Sequence, residues 1–212
     1  MRQLTTLALS LSLSASFGQW AIGAHIGVAD DHTEGTNTPS LGLQLEHRFS
    51  DSSRFSFRLS ADRIGMTHRA YQFTTYDAEM HRTGLAHELI ERDRVAAILE
   101  TRYALTETQC TNGYYRGAYA IGGLMWLGTN TSATRWTTDT LQVNGPIQRN
   151  NTFATSLRLR MGAGAQWSFA WGALFGEVLM TAGDESDTSG HQVLLTSLGL
   201  QAGYRYVFTR KA

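Results

Sequence analysis

Proline is scarce in this chain. Only Pro39 and Pro146 occur in 212 residues, and both are expected in loops, since a residue that cannot donate to a β-ladder is kept out of strand interiors. There is one cysteine, Cys110, which rules out an internal disulfide and is expected to sit idle in a turn. A charge surplus is lacking as well: 18 Lys and Arg balance 18 Asp and Glu. Nucleic-acid binding would need a basic excess to neutralise phosphates, so that class is excluded. No apolar run reaches the ~20 residues with which a helix crosses a bilayer. Glycine, by contrast, is plentiful at 21, and hydrophobic residues make up 42%. The length suits one domain.

The first eighteen residues read as a leader. Met1 and Arg2 give a short positive start, and Leu4, Leu7, Ala8, Leu9, Leu11, Leu13 and Ala15 form an apolar run. The run is too short to span and fits a secretory signal. Ser16 and Gly18 are spaced for cleavage before Gln19, and no cysteine follows to carry a lipid anchor. The mature chain is therefore expected over 19–212, beyond the inner membrane.

Beyond Gln19 the chain alternates. Phe153, Thr155, Leu157, Leu159, Met161, Ala163, Ala165, Trp167 and Phe169 interleave with Ala154, Ser156, Arg158, Arg160, Gly162, Gly164, Gln166 and Ser168. Strict period two marks a strand with one apolar and one polar face. The same pattern recurs at 41–49, 55–62, 95–103 and 198–208, and more weakly at 20–28, 114–127 and 172–182. In the 172–182 segment Phe175 and Glu177 share a face, which leaves its phase open. Eight strands result. Short connections are expected at 50–53, 106–113 and 170–171, and longer polar loops at 29–39, 67–83, 128–152 and 183–192. Aromatics gather near the short-turn ends (Trp20, Phe49, Phe55, Tyr103, Tyr114, Tyr115, Trp167, Phe169, Trp171, Tyr204, Tyr206, Phe208). A second group falls near the long-loop ends (Trp126, Phe153, Tyr71, Phe73). Two girdles are what aromatic rings form at the two faces of a bilayer. The expected fold is all-β: an eight-stranded antiparallel up-and-down transmembrane β-barrel.

The last strand, from Leu198 to Phe208, resembles the closing strand of the outer-membrane β-barrel families (porin-like, and the small OmpA- and OmpX-like barrels). Tyr204, Tyr206 and Phe208 stand where those families carry the terminal aromatic pattern that the barrel-assembly machinery reads. Here Thr209 to Ala212 follow it, a departure from the pattern. The Gly18–Gln19 junction resembles Bacteroidetes proteins. The resemblance implies a bacterial outer-membrane location, contact with outer-membrane lipid and with the assembly machinery, and long loops available to an extracellular ligand.

Chemistry is harder to find. The polar faces place Glu46, Arg58, Glu100, Arg102, Arg158, Arg160, Gln201 and Arg205 in the lumen. Eight strands leave room for side chains rather than an open channel, so these residues are expected to form an ion-pair network, with Arg in excess over Glu. The leading reading is a non-enzymatic barrel with a structural or surface-interaction role. The alternative is a small diffusion pore for ions or polar solutes whose selectivity would follow Arg158 and Arg160. A third reading, a lipid-modifying enzyme, has less behind it. No catalytic residue, cofactor or metal is expected: His81 and His87 match no metal spacing, no histidine is followed two places on by the serine of lipid-A deacylases, and Asp184, Glu185 and Asp187 lack calcium-loop spacing. The sequons at Asn130 and Asn150 mark polar loop. A lipocalin is the rival barrel, since Gly18-Gln19-Trp20 matches its Gly-x-Trp start, but its interior is apolar and its exterior polar, the reverse of this pattern.

Overall fold

In a computed structural model the described residues are 19–31, 36–49, 53–76, 82–106, 116–139, 147–169, 172–186 and 192–208. The expected leader, Cys110, His81, Pro146, Asp187, Tyr114, Tyr115 and Trp171 lie outside them. Eight strands follow in chain order: β1 (Gln19–Asp31), β2 (Thr36–Arg48), β3 (Phe55–Tyr76), β4 (Arg82–Ala104), β5 (Gly117–Asp139), β6 (Gln148–Phe169), β7 (Gly172–Ser186) and β8 (Gln192–Phe208). Each pairs antiparallel with its sequence neighbour, and β1 closes on β8 from Trp20↔Phe208 to Ala29↔Gly199. Closure pairs the backbone groups that lipid would leave unsatisfied.

The pleat sorts the residues. Leu41, Leu43 and Leu45 point outward, with Leu43 66% exposed, while Gln44 and Glu46 on the opposite face are buried. The same inversion repeats on β6, where Leu157, Leu159 and Met161 face out and Arg160 faces in. A polar interior under an apolar exterior is the surface of a membrane-spanning barrel. At the short-turn rim the outer rings pack edge to face: Phe49 on Phe57 at 5.4 Å, Tyr206 on Phe208 at 5.3 Å, and His47 on Phe49 at 5.2 Å. The Arg116 guanidinium lies 3.4 Å over the Trp167 ring. The turn into β7 uses Gly172 at φ +153°, where a Cβ would strike the Tyr204 hydroxyl and the Arg205 carbonyl.

The strands run further than the sequence pattern suggests. β3 to β6 hold 22, 23, 23 and 22 residues, against 13, 13, 15 and 17 in β1, β2, β7 and β8. At about 3.3 Å per residue, half of the barrel wall continues roughly 25 Å past the other half. Much of 67–83 and 128–152, expected as loop, is thus paired strand: Tyr71 pairs with Glu88, and Thr134 with Arg149. Residues 29–31, 36–39, 183–186 and 192, expected in loops, likewise belong to strands. Apolar alternation ends where lipid ends, whereas backbone pairing does not, so periodicity could not see these extensions. Tyr71 and Phe73 consequently sit on the protruding sheet, stacked at 6.1 Å, and not in the outer girdle with Trp126. Pro39 falls within β2, opposite Val28. Its carbonyl and ring face Gly65, in the β3 bulge between Ile64 and Thr67. The ladder between β2 and β3 has ended at Ser40↔Ile64, so the missing N–H of Pro39 is not needed there.

Candidate functional site

Every strand sends a polar side chain into the lumen, and together they form one connected septum. Glu177 on β7 is at its centre. It accepts from Arg58 Nη1 and Nη2 at 2.6 and 2.9 Å, from the Tyr119 hydroxyl at 2.7 Å, and from Gln201 Nε2. The Arg205 guanidinium stands 3.6 Å away. Arg58 also donates from Nε to Glu100 at 2.6 Å and from Nη1 to Gln44 at 3.3 Å. Towards the short-turn rim, Glu46 receives Arg102 at 2.6 and 2.7 Å, Ser56 at 2.5 Å, and Arg205. Arg102 reaches on to Gln166 at 3.3 Å. Towards the protruding side, Arg160 pairs with Glu100 at 3.0 Å and donates to Gln201 at 2.8 Å. It also lies 3.8 Å from Asp62, which His25 approaches to 3.1 Å.

The chemistry of the chain suits this packing. All but one of its 18 basic residues are arginine, whose flat, forked donor set can serve two carboxylates and lie over a ring at once. Arg102 sits 3.5 Å above the Tyr119 ring and Arg205 4.3 Å above Phe175. Glycines make the room: a Cβ on Gly42 would overlap His25 and Asp62, and one on Gly164 would lie 2.6 Å from Glu177. The lumen is not polar all round. Ala96, Ile98, Met125 and Leu127, with Ile64 against them, make an apolar wall on the β3–β5 side, and Tyr119, Ile121 and Leu179 a second patch.

Seven of the eight lumen residues expected from sequence meet in the septum. Arg158 does not; it is half-buried nearer the protruding end, with Nε 3.3 Å from Ser156 Oγ. Sequence reasoning missed Glu177, and with it the anion that balances the arginines. The signal was present: Ala173, Phe175, Glu177 and Leu179 all face inward, so the segment has a regular phase once Phe175 is accepted as the inner partner of Arg205. Asp62, Tyr119, His25, Gln44 and Gln166 also join. Of the other candidates, His87 stacks on Trp136 at 5.2 Å on the protruding sheet. Among the described residues no three His, Cys, Asp or Glu side chains converge as metal ligands.

The protruding sheet is the second distinctive feature. Beyond Ile64, β3 pairs with β4 alone, and before Arg158, β6 pairs with β5 alone. Among the described residues, segments 65–76 and 148–157 therefore carry open edges. The face between them is polar and aromatic, with Glu88 and Arg135 at 3.0 Å and Arg69 5.2 Å from the Tyr71 ring.

No protein-family model matches this chain, and no curated protein does. Solved structures resemble it in shape. The attachment invasion locus protein Ail of Yersinia pestis aligns at 10% identity over 90% of this chain and 97% of its own, with a TM-score of 0.47. CarO of Acinetobacter baumannii aligns at 13% identity over 88% and 97%, with a TM-score of 0.46. A major outer membrane protein of Thermus thermophilus aligns at 14% identity over 90% and 99%, with a TM-score of 0.45. Likeness at this level carries no role from those proteins to this one.

Proposed function

We propose that this protein is an integral β-barrel of a bacterial outer membrane that acts as a surface-interaction protein, without enzymatic activity. Its lumen is a structural plug, and its protruding β3–β6 sheet is the part that meets a partner outside. The observation that carries this reading is the pair of open edges at 65–76 and 148–157. An unpaired edge is a template on which an extended peptide can add as a further strand. The lumen argues against a diffusion pore, because eleven charged or amide side chains would have to part before a solute could pass.

Assembly belongs to the same proposal. Tyr204, Tyr206 and Phe208 lie on the outer side of β8, and Phe208 pairs with Trp20 at the β1–β8 seam. A terminal aromatic row at the last seam to close is where an assembly machine would engage the strand, with outer-membrane lipid as the other partner.

The test shortens the sheet. Ser132 pairs with Asn151, so excising 132–151 and joining the ends by an Asn-Gly turn removes the upper β5–β6 hairpin. Extended peptides selected from a displayed library against the folded protein in lipid nanodiscs, and cross-linked to the 148–157 edge, should bind the full chain and fail to bind the shortened one, whereas peptides cross-linked to the 65–76 edge should keep binding. Peptides of the 148–157 edge that bind both chains equally would contradict the proposal.

A further inference from the structure

Above the closed wall the protruding sheet is half of a barrel. β3 to β6 continue, while over β1, β2, β7 and β8, with 13, 13, 15 and 17 residues, no described strand continues the wall to that height. Among the described residues the gap is bordered by two edges of nearly equal length, 65–76 on β3 and 148–157 on β6. The inner face of the sheet is not finished for water. Glu88 lies an even number of residues from the buried Arg94 and Arg102 on β4, so it points to the lumen side, and its partner Tyr71 does too. Phe73, stacked on Tyr71 at 6.1 Å, is 51% exposed on that face. The charges of the sheet nearly cancel, with five arginines against four carboxylates in 65–76, 82–93, 129–139 and 148–157.

We propose that the partner of these edges is a second copy of this chain, inverted in a facing membrane, whose own β3–β6 sheet fills the gap. The proposal rests on the reading of the edges as the binding surface and names what they bind. Chain direction decides which edge meets which. β3 rises from the short-turn rim and β6 descends to it. In an inverted copy β3 descends and β6 rises, so β3 meets β3 and β6 meets β6, both antiparallel, the more stable ladder. The two-fold axis relating the copies lies parallel to the membranes and passes through both seams. It keeps the hand of the strand tilt and leaves each lumen face inside, so the two halves make one eight-stranded wall. A copy the same way up in the same membrane cannot enter the gap, because the closed parts of the two barrels would have to occupy one place. The pairing is isologous: one surface serves both copies, and its near neutrality keeps like sheets from repelling. Beside the β3 seam, Tyr71 and Phe73 of both copies come together inside the new wall and lose water.

The test uses the full chain in phosphatidylcholine vesicles with the protruding sheet outward, folding confirmed by migration before and after boiling. Two vesicle populations carry donor and acceptor lipid dyes, and clustering is read as energy transfer between them. Ala70 and Gln72 are exposed on the outer face of the β3 edge, opposite Leu89 and His87 of β4, so charges placed there should leave the fold intact. One variant carries Ala70→Glu with Gln72→Glu, the other Ala70→Lys with Gln72→Lys. Like charges directly opposite weaken a strand pair and opposite charges support it, and many copies on each vesicle multiply the difference. Full-chain vesicles should cluster with each other and not with empty ones. Clustering should fall about tenfold when both populations carry the same variant, and recover when one carries Glu and the other Lys. Absence of clustering between full-chain vesicles, or equal clustering of like and opposite variants, would overturn the proposal. Peptides that still bind the 148–157 edge in that event would keep the edges as the binding surface, with a partner other than this chain.

Discussion

The same four strands live in two solvents, and their side chains change accordingly. Along the membrane stretch of β4, Val95, Ala97 and Leu99 face outward while Arg94, Glu100 and Arg102 are buried. A few residues further up, the outward positions are Asp93 and Glu91, paired with Arg63 at 3.5 Å and His68 at 3.2 Å. The ladder continues unbroken from β4 to β5 through this change, from Ala104↔Tyr119 to Gly84↔Asp139. Backbone pairing therefore holds both regions, while lipid and the septum fix the phase of the lower one only. In the lower region each side chain has one permitted face. In the upper region both faces and two edges are open to whatever the protein meets.

That contrast predicts a graded set of losses. The largest belongs to Glu177→Ala, which strands Arg58 among buried groups and removes the acceptor for Tyr119 and Gln201. Breaking a buried pair from one side costs about 3–5 kcal/mol, readable as a lower denaturant midpoint of the barrel refolded in liposomes. Next is Leu43→Arg on the lipid belt, at about 2–4 kcal/mol. Ser132→Arg, the same change on the outer face of the protruding sheet, should stay within about 0.5 kcal/mol. Equal costs at the two positions would erase the distinction between the regions. Phe208→Ser acts on assembly more than on stability: the share of chain in the membrane that migrates fast without boiling should fall. Excision of 132–151 should likewise leave barrel stability within about 1 kcal/mol, because the upper hairpin opens independently of the closed wall.

Much of the lower region was legible in the sequence. The alternation from Phe153 to Phe169 assigned β6 its two faces, and the polar faces of β2, β3, β4, β6 and β8 supplied seven septum residues. Three things were not legible. The height of β3 to β6 was hidden because Thr131, Ser132, Ala133, Thr134 and Arg135 show no regular alternation of apolar with polar residues; a strand with water on both faces has no period to detect. The bulge at Gly65 shifts the register of β3, so Tyr71 and Phe73 could not be placed by counting. Glu177 was obscured by its neighbour, because Phe175 looks like a lipid-facing ring until Arg205 is found above it. The near absence of lysine was an available sign that the cations were meant for flat, forked, closely packed contacts.

The central claim is that the septum around Glu177 closes the lumen and leaves the work of the protein to its outer surface. Single-channel recording of the purified protein in a planar bilayer tests it most directly, with folding confirmed by migration before and after boiling. A properly folded sample should give no discrete conductance steps. Reproducible openings whose ion preference shifts in Arg160→Gln would contradict the claim and make the lumen a pore.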